Sequence, residues 1–204
     1  MFVNPSTIEV IRHVPHRWLV RQWARMGPCA DPTTVAFAFD AASIDVSRSI
    51  VSKVEGHLQS RRLRIIQYGS SLSAATGANA CGRFLDEIFS ERRRSFAMAH
   101  YELCLKSMKP VYSIATTTDN NQVPVDYEKL LLPFRGEDGQ VNCILTTTLL
   151  ISTEGRFVRD GIFAHGDFPQ PTSAVVYSIQ VGQGVEACPP ESALDTPWAP
   201  TDLS

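Results

Sequence analysis

The 204-residue sequence predicts an α+β fold built on an antiparallel sheet. Two groups of strand-like segments, a hairpin over residues 46–68 and three strands over residues 111–152, flank a helical middle. Strands that come in runs, rather than alternating one by one with helices, are typical of antiparallel sheets. Hydrophobic residues make up 44% of the chain and charged residues 20%, as in an ordinary soluble globular protein.

An amphipathic helix is predicted near the N-terminus, over residues 6–26, with an interruption at Pro15. Its second half has a stripe of large residues at a spacing of three to four, and these are Trp18, Leu19, Gln22, Trp23 and Met26. The stripe either packs on the domain's own sheet or forms a partner surface. In the second case these five residues are the candidate interface of a homodimer. A short helix is also predicted at residues 31–37.

The first hairpin consists of a strand at residues 46–55, a turn at Gly56 and a strand in "RRLRIIQYG". In that strand Leu63 and Ile65 alternate with Arg62 and Arg64, which is the period of a half-buried strand. Two short helical segments follow, the first closed by Gly77. A longer helix is then predicted from Ser90 to about Lys109, where Pro110 stops it.

The second group of strands begins with "VYSIATTT", which is rich in β-branched residues. Pro133 lies within the next strand, "DYEKLLLPFR", and requires a bulge or an edge position there. The turn "GEDG" leads to the longest strand, "QVNCILTTTLLIS". Further on, "SAVVYSIQVG" is one more candidate strand. The proline-rich tail from about residue 186 is predicted to be disordered.

The charge balance and the cysteine pattern exclude several classes of protein. A net charge of −2 gives no general attraction to nucleic acid or to a membrane, and the arginine runs at 61–64 and 92–94 are expected to be solvated. The five cysteines are scattered without a CxxC pair, which predicts neither a disulfide framework nor a metal site. No signal peptide and no apolar run of about 20 residues is present, so a cytoplasmic location is expected.

Three segments, taken in order, resemble PAS domains: "RRLRIIQYGSSLSAATGANACGRFLDEI", "YELCLKSMKPVYSI" and "YEKLLLPFRGEDGQVNCIL". The last is similar to the "LLLPL…dG" hairpin of a bacterial, largely alphaproteobacterial PAS subfamily, from which the chain departs at Phe134. The resemblance covers roughly residues 16–152. It implies a five-stranded antiparallel sheet with a helical connection on one face, and a sensory or regulatory role. We expect an N-terminal helical segment at 1–30, a PAS-like domain at 31–153 and a C-terminal extension at 154–204.

The stretch "GANACGRFLDE" also resembles the motif of the flavin-binding LOV branch of PAS domains, in which a cysteine attacks the excited flavin. In that motif the reactive cysteine lies three residues after a glycine. Counting from Gly82 gives Leu85, and counting from Gly77 gives Ala80, so Cys81 is out of register. A slip of one residue turns a helical side chain by about 100°. We therefore expect Cys81 to be a small, buried or half-buried thiol, and we expect no flavin.

The PAS resemblance implies a ligand cavity between the inner sheet face and the helical connection. The candidate lining residues are Ile65, Tyr68, Phe84, Leu85, Phe96, His100, Tyr101, Tyr112, Ile114, Leu131 and Leu145. A closed apolar core would show the same residues, so both interpretations stay open. His100 is where a heme ligand would lie, but a lone helix histidine usually serves the surface or the core, and no heme is expected.

No P-loop, nucleophile elbow or dinucleotide motif is present, so we expect no enzyme. A small enzyme with His100 or Asp86 as a base lacks an acid–base cluster. The leading prediction is a sensory or regulatory protein that binds a small molecule, a signalling partner or both, without an output domain on the chain. The alternative is a ligand-free scaffolding module that dimerises through the tryptophan helix.

Overall fold

The computed structural model describes residues 3–26, 46–56, 60–118, 122–152 and 171–181. Their seven strands are β1 (Val3–Ser6), β2 (Ser49–Glu55), β3 (Arg62–Tyr68), β4 (Val111–Thr118), β5 (Pro124–Arg135), β6 (Val141–Ile151) and β7 (Ser173–Ile179). The helices are α1 (Val14–Met26), α2 (Ser70–Thr76) and α3 (Glu91–Ser107), with 3-10 turns at Ile8–Val10, Val46–Arg48 and Leu85–Glu87. The predicted helix at 31–37 and the predicted disordered tail lie outside the described residues.

The strands form one sheet in the order β1-β7-β4-β5-β6-β2-β3. The five strands predicted from the PAS resemblance are contiguous in it, and all of their pairings are antiparallel. The connection from β3 to β4 carries α2 and α3 across one face of the sheet. This is a PAS-like α+β fold, as predicted.

The sheet has two strands more than the five predicted. β7, the candidate strand in "SAVVYSIQVG", pairs antiparallel with β4, and β1 pairs parallel with β7. The prediction of helix from residue 6 is wrong at its start, because α1 begins only at Val14 and Pro15 lies in its first turn. Proline is tolerated there, since the first N–H groups of a helix have no partner within it. Strands from both predicted flanking segments thus join the central sheet.

Pro133 lies in β5, which is an internal strand, so the predicted edge position is wrong. The predicted bulge is present beside it, because the register with β6 shifts between Phe134 and Arg135. The turn that follows is closed by the N–H of Gly136, which donates to the carbonyl of Gln140 over 2.8 Å. Gly139 adopts a φ of 73°, which a residue without Cβ reaches without strain.

Both faces of the sheet are covered. The inner face, as we call the face under α2 and α3, forms a core with members such as Ile65, Leu85 and Leu131. The outer face lies under α1 and forms a second core that includes Leu19, Leu130 and Leu145. Because successive residues of a strand point to opposite faces, β5 places Leu131 inside and Leu130 outside.

Candidate functional site

A small pocket lies between α3 and the inner face of the sheet. Its volume is about 50 Å³, and its lining consists of Phe89, Arg93, Phe96, Ala97, Ala115, Thr117, Tyr127, Lys129 and Pro171. On α3, Phe96 and Ala97 lie three and four positions after Arg93, so all three lie on one side of the helix. The residues from β4 and β5 are two positions apart, so they share the inner face of the sheet. Helix and strand periodicity therefore decide which side chains of each element face the pocket, and the packing of α3 on the sheet brings them together.

Lys129 supplies a buried cation to the pocket. Only 6% of this residue is exposed, and its Nζ lies 5.4 Å from the centroid of the Tyr101 ring. At that distance the ring face attracts the ammonium group. Burial lowers the pKa of Lys129 to about 8, because the charged form loses its hydration. Tyr101 is held in turn by Thr146, whose hydroxyl donates to the Tyr101 oxygen over 3.1 Å.

His100 is buried on the same face of α3, with its ring 4.8 Å from that of Phe96. Neither ring nitrogen has a hydrogen-bond partner among the described residues. Burial, and then the charge of Lys129, lower the pKa of His100 to about 2. The imidazole is therefore neutral at ordinary pH.

The predicted cavity residues divide into three groups. Phe96 lines the pocket, and His100 is buried beside it. Ile65, Leu85, Tyr101 and Leu131 belong to the surrounding inner core, with Tyr68 packed against it. The prediction is wrong for Tyr112, Ile114 and Leu145, which lie on the outer face. The cause is that β4 and β6 are apolar on both faces, so their sequence does not distinguish inside from outside.

Phe84 is also misplaced in the prediction, because it lies at the edge of the sheet. The guanidinium of Arg62 is 3.7 Å and that of Arg64 is 4.1 Å from the centroid of its ring. The arginines are also paired, Arg62 with Asp86 and Glu87, and Arg64 with Glu55. The side-chain hydrogen bond from Arg62 lowers the pKa of Glu87. Arg62 therefore fastens the 3-10 turn to β3, and two of the three arginines in this run are paired with carboxylates.

Several pocket residues are missing from the sequence prediction, and Lys129 is the most informative of them. It lies in the apolar strand "DYEKLLLPFR", two positions before the inner residue Leu131. Because strand residues two positions apart point to the same face, this spacing predicts that Lys129 is buried on the inner face with Leu131. Phe89, Arg93 and Thr117 have no comparable signal, because aromatic, basic and β-branched residues at these positions are equally expected on a surface.

Cys81 is exposed, which differs from the buried or half-buried thiol that we predicted. Its Sγ donates to the carbonyl of Ile66 over 3.3 Å, at the free edge of β3. The Gly82 N–H and the Arg83 carbonyl are bonded to Ile65, so this loop follows the edge strand. The thiol therefore lies on the solvent side of the sheet edge and is not among the residues that line the pocket.

Helix α1 packs on the outer face of the protein's own sheet. Leu19 is 1% exposed in the outer core, and the indole N–H of Trp23 donates to the carbonyl of Pro133 over 2.6 Å. Trp18 packs against the same core, and Gln22 is half-buried. The stripe was predicted either to pack on the domain's own sheet or to form a partner surface. For Trp18, Leu19 and Trp23 the structure shows packing on the sheet. The homodimer stays a prediction.

A polar cluster lies beneath the start of α1. The Tyr112 hydroxyl donates to the buried carboxylate of Glu128 over 2.6 Å, and the Arg12 N–H donates to the Tyr112 oxygen over 3.3 Å. The ring of His16 packs edge-on against Tyr112, with 6.1 Å between centroids. Burial, and then the neighbouring His13, lower the pKa of His16 to about 3. This cluster is part of the contact between α1 and the sheet.

The pocket volume decides which ligands fit. Sites for drug-sized molecules occupy roughly 300–1,000 Å³, so a pocket of about 50 Å³ accepts neither a flavin nor a heme as it stands. Within the described ranges, no group of three or more His, Cys, Asp and Glu residues could hold a metal ion. No helix of that part of the chain has the length and apolar character needed to cross a membrane.

No family model matches the sequence, and no curated protein matches it significantly. The chain is similar in structure to the PAS domain of a Colwellia psychrerythraea protein, at 13% identity over 57% of this chain and 98% of that one, with a TM-score of 0.39. It is similar to a Rhodobacter sphaeroides LOV protein, at 16% identity, coverage of 62% and 71%, and a TM-score of 0.41. It is also similar to the PAS domain of the fruit-fly ELK potassium channel, at 14% identity, coverage of 60% and 98%, and a TM-score of 0.40.

The order of the five central strands, with the helical connection on one face, is the PAS-like arrangement that the sequence resemblance implied. The alphaproteobacterial subfamily suggested by the "LLLPF" hairpin stays a prediction.

Proposed function

We propose that this protein is a sensory or regulatory domain that binds a small molecule in the pocket between α3 and the inner face of the sheet. The observation that carries the proposal is a pair of buried polar groups at the pocket, because Lys129 lines it and His100 lies beside the lining residue Phe96. Lys129 is 6% exposed with only the Tyr101 ring near its Nζ, and His100 is 1% exposed with no hydrogen-bond partner on either ring nitrogen among the described residues. Burial of such groups costs free energy unless something compensates them. A bound polar molecule would do so.

Binding in this pocket offers a direct route to a signal. The pocket is bounded by α3 on one side and by β4 and β5 on the other, and β5 carries α1 on its opposite face through Pro133 and Trp23. A ligand that favours one position of α3 relative to the sheet would shift the population of conformations, provided that it binds the two states with different affinity. The cytoplasmic location and an external signalling partner belong to this proposal as well.

The test is native mass spectrometry of the untagged protein, with an absorption spectrum of the same sample. We expect a small co-purified mass at one per chain. The variant Ala97→Leu adds an isopropyl group to a residue that lines the pocket and is 7% exposed, so it should lose that mass. Ala74→Leu, on the exposed side of α2, is the matched control and should retain it. A wild-type protein without any such mass, or equal retention by Ala97→Leu, would contradict the proposal.

A second candidate function is homodimerisation or scaffolding through α1. It is favoured by Val14, a large apolar residue that is 65% exposed at the start of the helix, beside the half-buried Trp18. Val14→Asp tests it, since a carboxylate in the first turn does not disturb the helix. Sedimentation equilibrium should show a dimer for the wild type and a monomer for the variant. The same mass for both proteins would exclude this face as the interface.

A further inference from the structure

The charge of Lys129 is not balanced by the acidic residues of its own strand. Asp126 and Glu128 lie on β5 within three positions, but they point to the outer face. There Asp126 pairs with Arg12 over 2.7 Å, and Glu128 accepts the Tyr112 hydroxyl over 2.6 Å. Within the described residues no carboxylate forms an ion pair with Lys129, whose nearest recorded partner is the uncharged Tyr101 ring.

The described residues that line the pocket carry one sign of charge. Lys129 comes from β5 and Arg93 from α3, and no aspartate or glutamate is among these described lining residues. The remaining walls are apolar or hydroxyl-bearing, with Phe96 and Ala97 on the helical side. A cation behind low-dielectric walls attracts an anion more strongly than the same cation in water does. The positive charge of Lys129 therefore favours an anionic ligand. The ring of Phe96 favours a ligand that also has an apolar part.

The size of the pocket narrows the ligand further. One water-sized sphere needs roughly 10–15 Å³ of such a cavity, so about 50 Å³ corresponds to a handful of non-hydrogen atoms. A carboxylate group with a short aliphatic chain has that size.

We propose that the pocket binds a small monocarboxylate, with the carboxylate against Lys129 and its short alkyl chain against Phe96 and Ala97. The inference rests on the proposed function, because it names the ligand class for the same pocket. It goes further in making Lys129 the residue that determines specificity for an anion over a neutral molecule of the same shape.

The probe for this test is sodium propionate, and its neutral isostere propionamide is the matched control ligand. Both are titrated at constant ionic strength into ¹⁵N-labelled protein, and amide shifts are followed by NMR. We expect propionate to bind in roughly the micromolar to millimolar range that so few atoms allow. We expect propionamide to bind at least about tenfold more weakly, since an ionic hydrogen bond is lost.

Two variants assign the effect to the lysine. Lys129→Met and Lys129→Gln remove the charge at similar length, and both should abolish the preference for propionate over propionamide. Lys106→Met, on the exposed side of the same helix that carries Arg93, should leave it unchanged, because Lys106 is 79% exposed and pairs with Glu102. Using two replacements keeps the test valid if one variant does not fold.

The outcomes separate this inference from the proposed function. If both ligands bind equally, or if the Lys129 variants keep the preference, the pocket binds ligands but the anion inference is wrong. Displacement of propionate by chloride at equal concentration would make the site a general anion site and would also overturn the inference. If neither compound binds, the inference fails, and the mass measurement on Ala97→Leu still decides the proposed function independently.

Discussion

Lys129 is the buried cation of the pocket, and its burial lowers the free energy of unfolding of the protein by a measurable amount. Its pKa falls from 10.5 in the unfolded chain to about 8 in the folded protein. Between these two values the unfolded chain binds more protons than the folded one, so stability rises with pH. Below pH 8 the full cost of the buried charge is present, on the order of 3 kcal/mol.

Lys129→Met should therefore stabilise the ligand-free protein at pH 7, even though it impairs anion binding. We expect its urea midpoint to lie above that of the wild type at pH 7, and the difference to shrink as the pH rises from 8 through 10.5, above which the lysine is neutral in both states. Lys106→Met should show no such convergence. A Lys129→Met protein that is less stable at pH 7 would mean that the ammonium is already compensated in the native state.

The two buried histidines predict the acid side of the stability curve. His16 and His100 have folded pKa values of about 3 and about 2, against an ordinary value of 6.5. Below pH 6.5 the unfolded chain takes up protons that the folded protein does not, so stability falls as the pH falls. Each histidine contributes a slope of about 1.4 kcal/mol per pH unit in that window.

Replacement of either histidine by leucine should flatten the stability curve between pH 6 and about 4, as measured by urea unfolding at each pH. The slope should decrease both for His16→Leu, which lies at the outer core, and for His100→Leu, which lies at the inner core. His13→Leu is the comparison, since its position is only half-buried at the start of α1. An acid slope that is unchanged in both core variants would show that these imidazoles are protonated in the native protein.

Among the helices and strands, the sequence predicts the type of each segment more accurately than the sheet face to which its side chains point. β3 alternates cleanly, so its pattern predicts that Leu63 and Ile65 share one face, and both are buried in the inner core. β4 and β6 are apolar on both faces, and Tyr112 and Leu145 were therefore assigned to the wrong side. The reason is that α1 covers the outer face, so the usual contrast between a buried and a solvated face is missing. β1 was missed because its four residues pair only with β7, at the far end of the chain.

The docking of α1 is predicted to be a substantial part of the stability. Leu19→Ala removes a side chain that is 1% exposed in the outer core, and such truncations cost about 2–5 kcal/mol. Val14→Ala, on the exposed side of the same helix, should cost well under 1 kcal/mol. Urea unfolding of both variants gives the comparison. Equal stability of the two proteins would mean that α1 is not held on the sheet in solution.

At the scale of the whole molecule, the PAS-like part of the sheet is extended at one edge. β7 and β1 continue the sheet beyond β4, so segments on both sides of the predicted domain contribute to one sheet. The pocket lies near this extension, because Ala115 and Thr117 are on β4 and Pro171 precedes β7. The order of strands followed from the resemblance, whereas the site required packing between elements that no local pattern encodes.

Anion binding at Lys129 is tested most directly by a high-resolution crystal structure of the full chain as purified, followed by one grown with propionate. We expect density for a small molecule in the pocket, with an acidic group within hydrogen-bonding distance of the Lys129 Nζ and an apolar part against Phe96. A pocket that is closed by its own side chains, or that holds only water in both crystals, would contradict it.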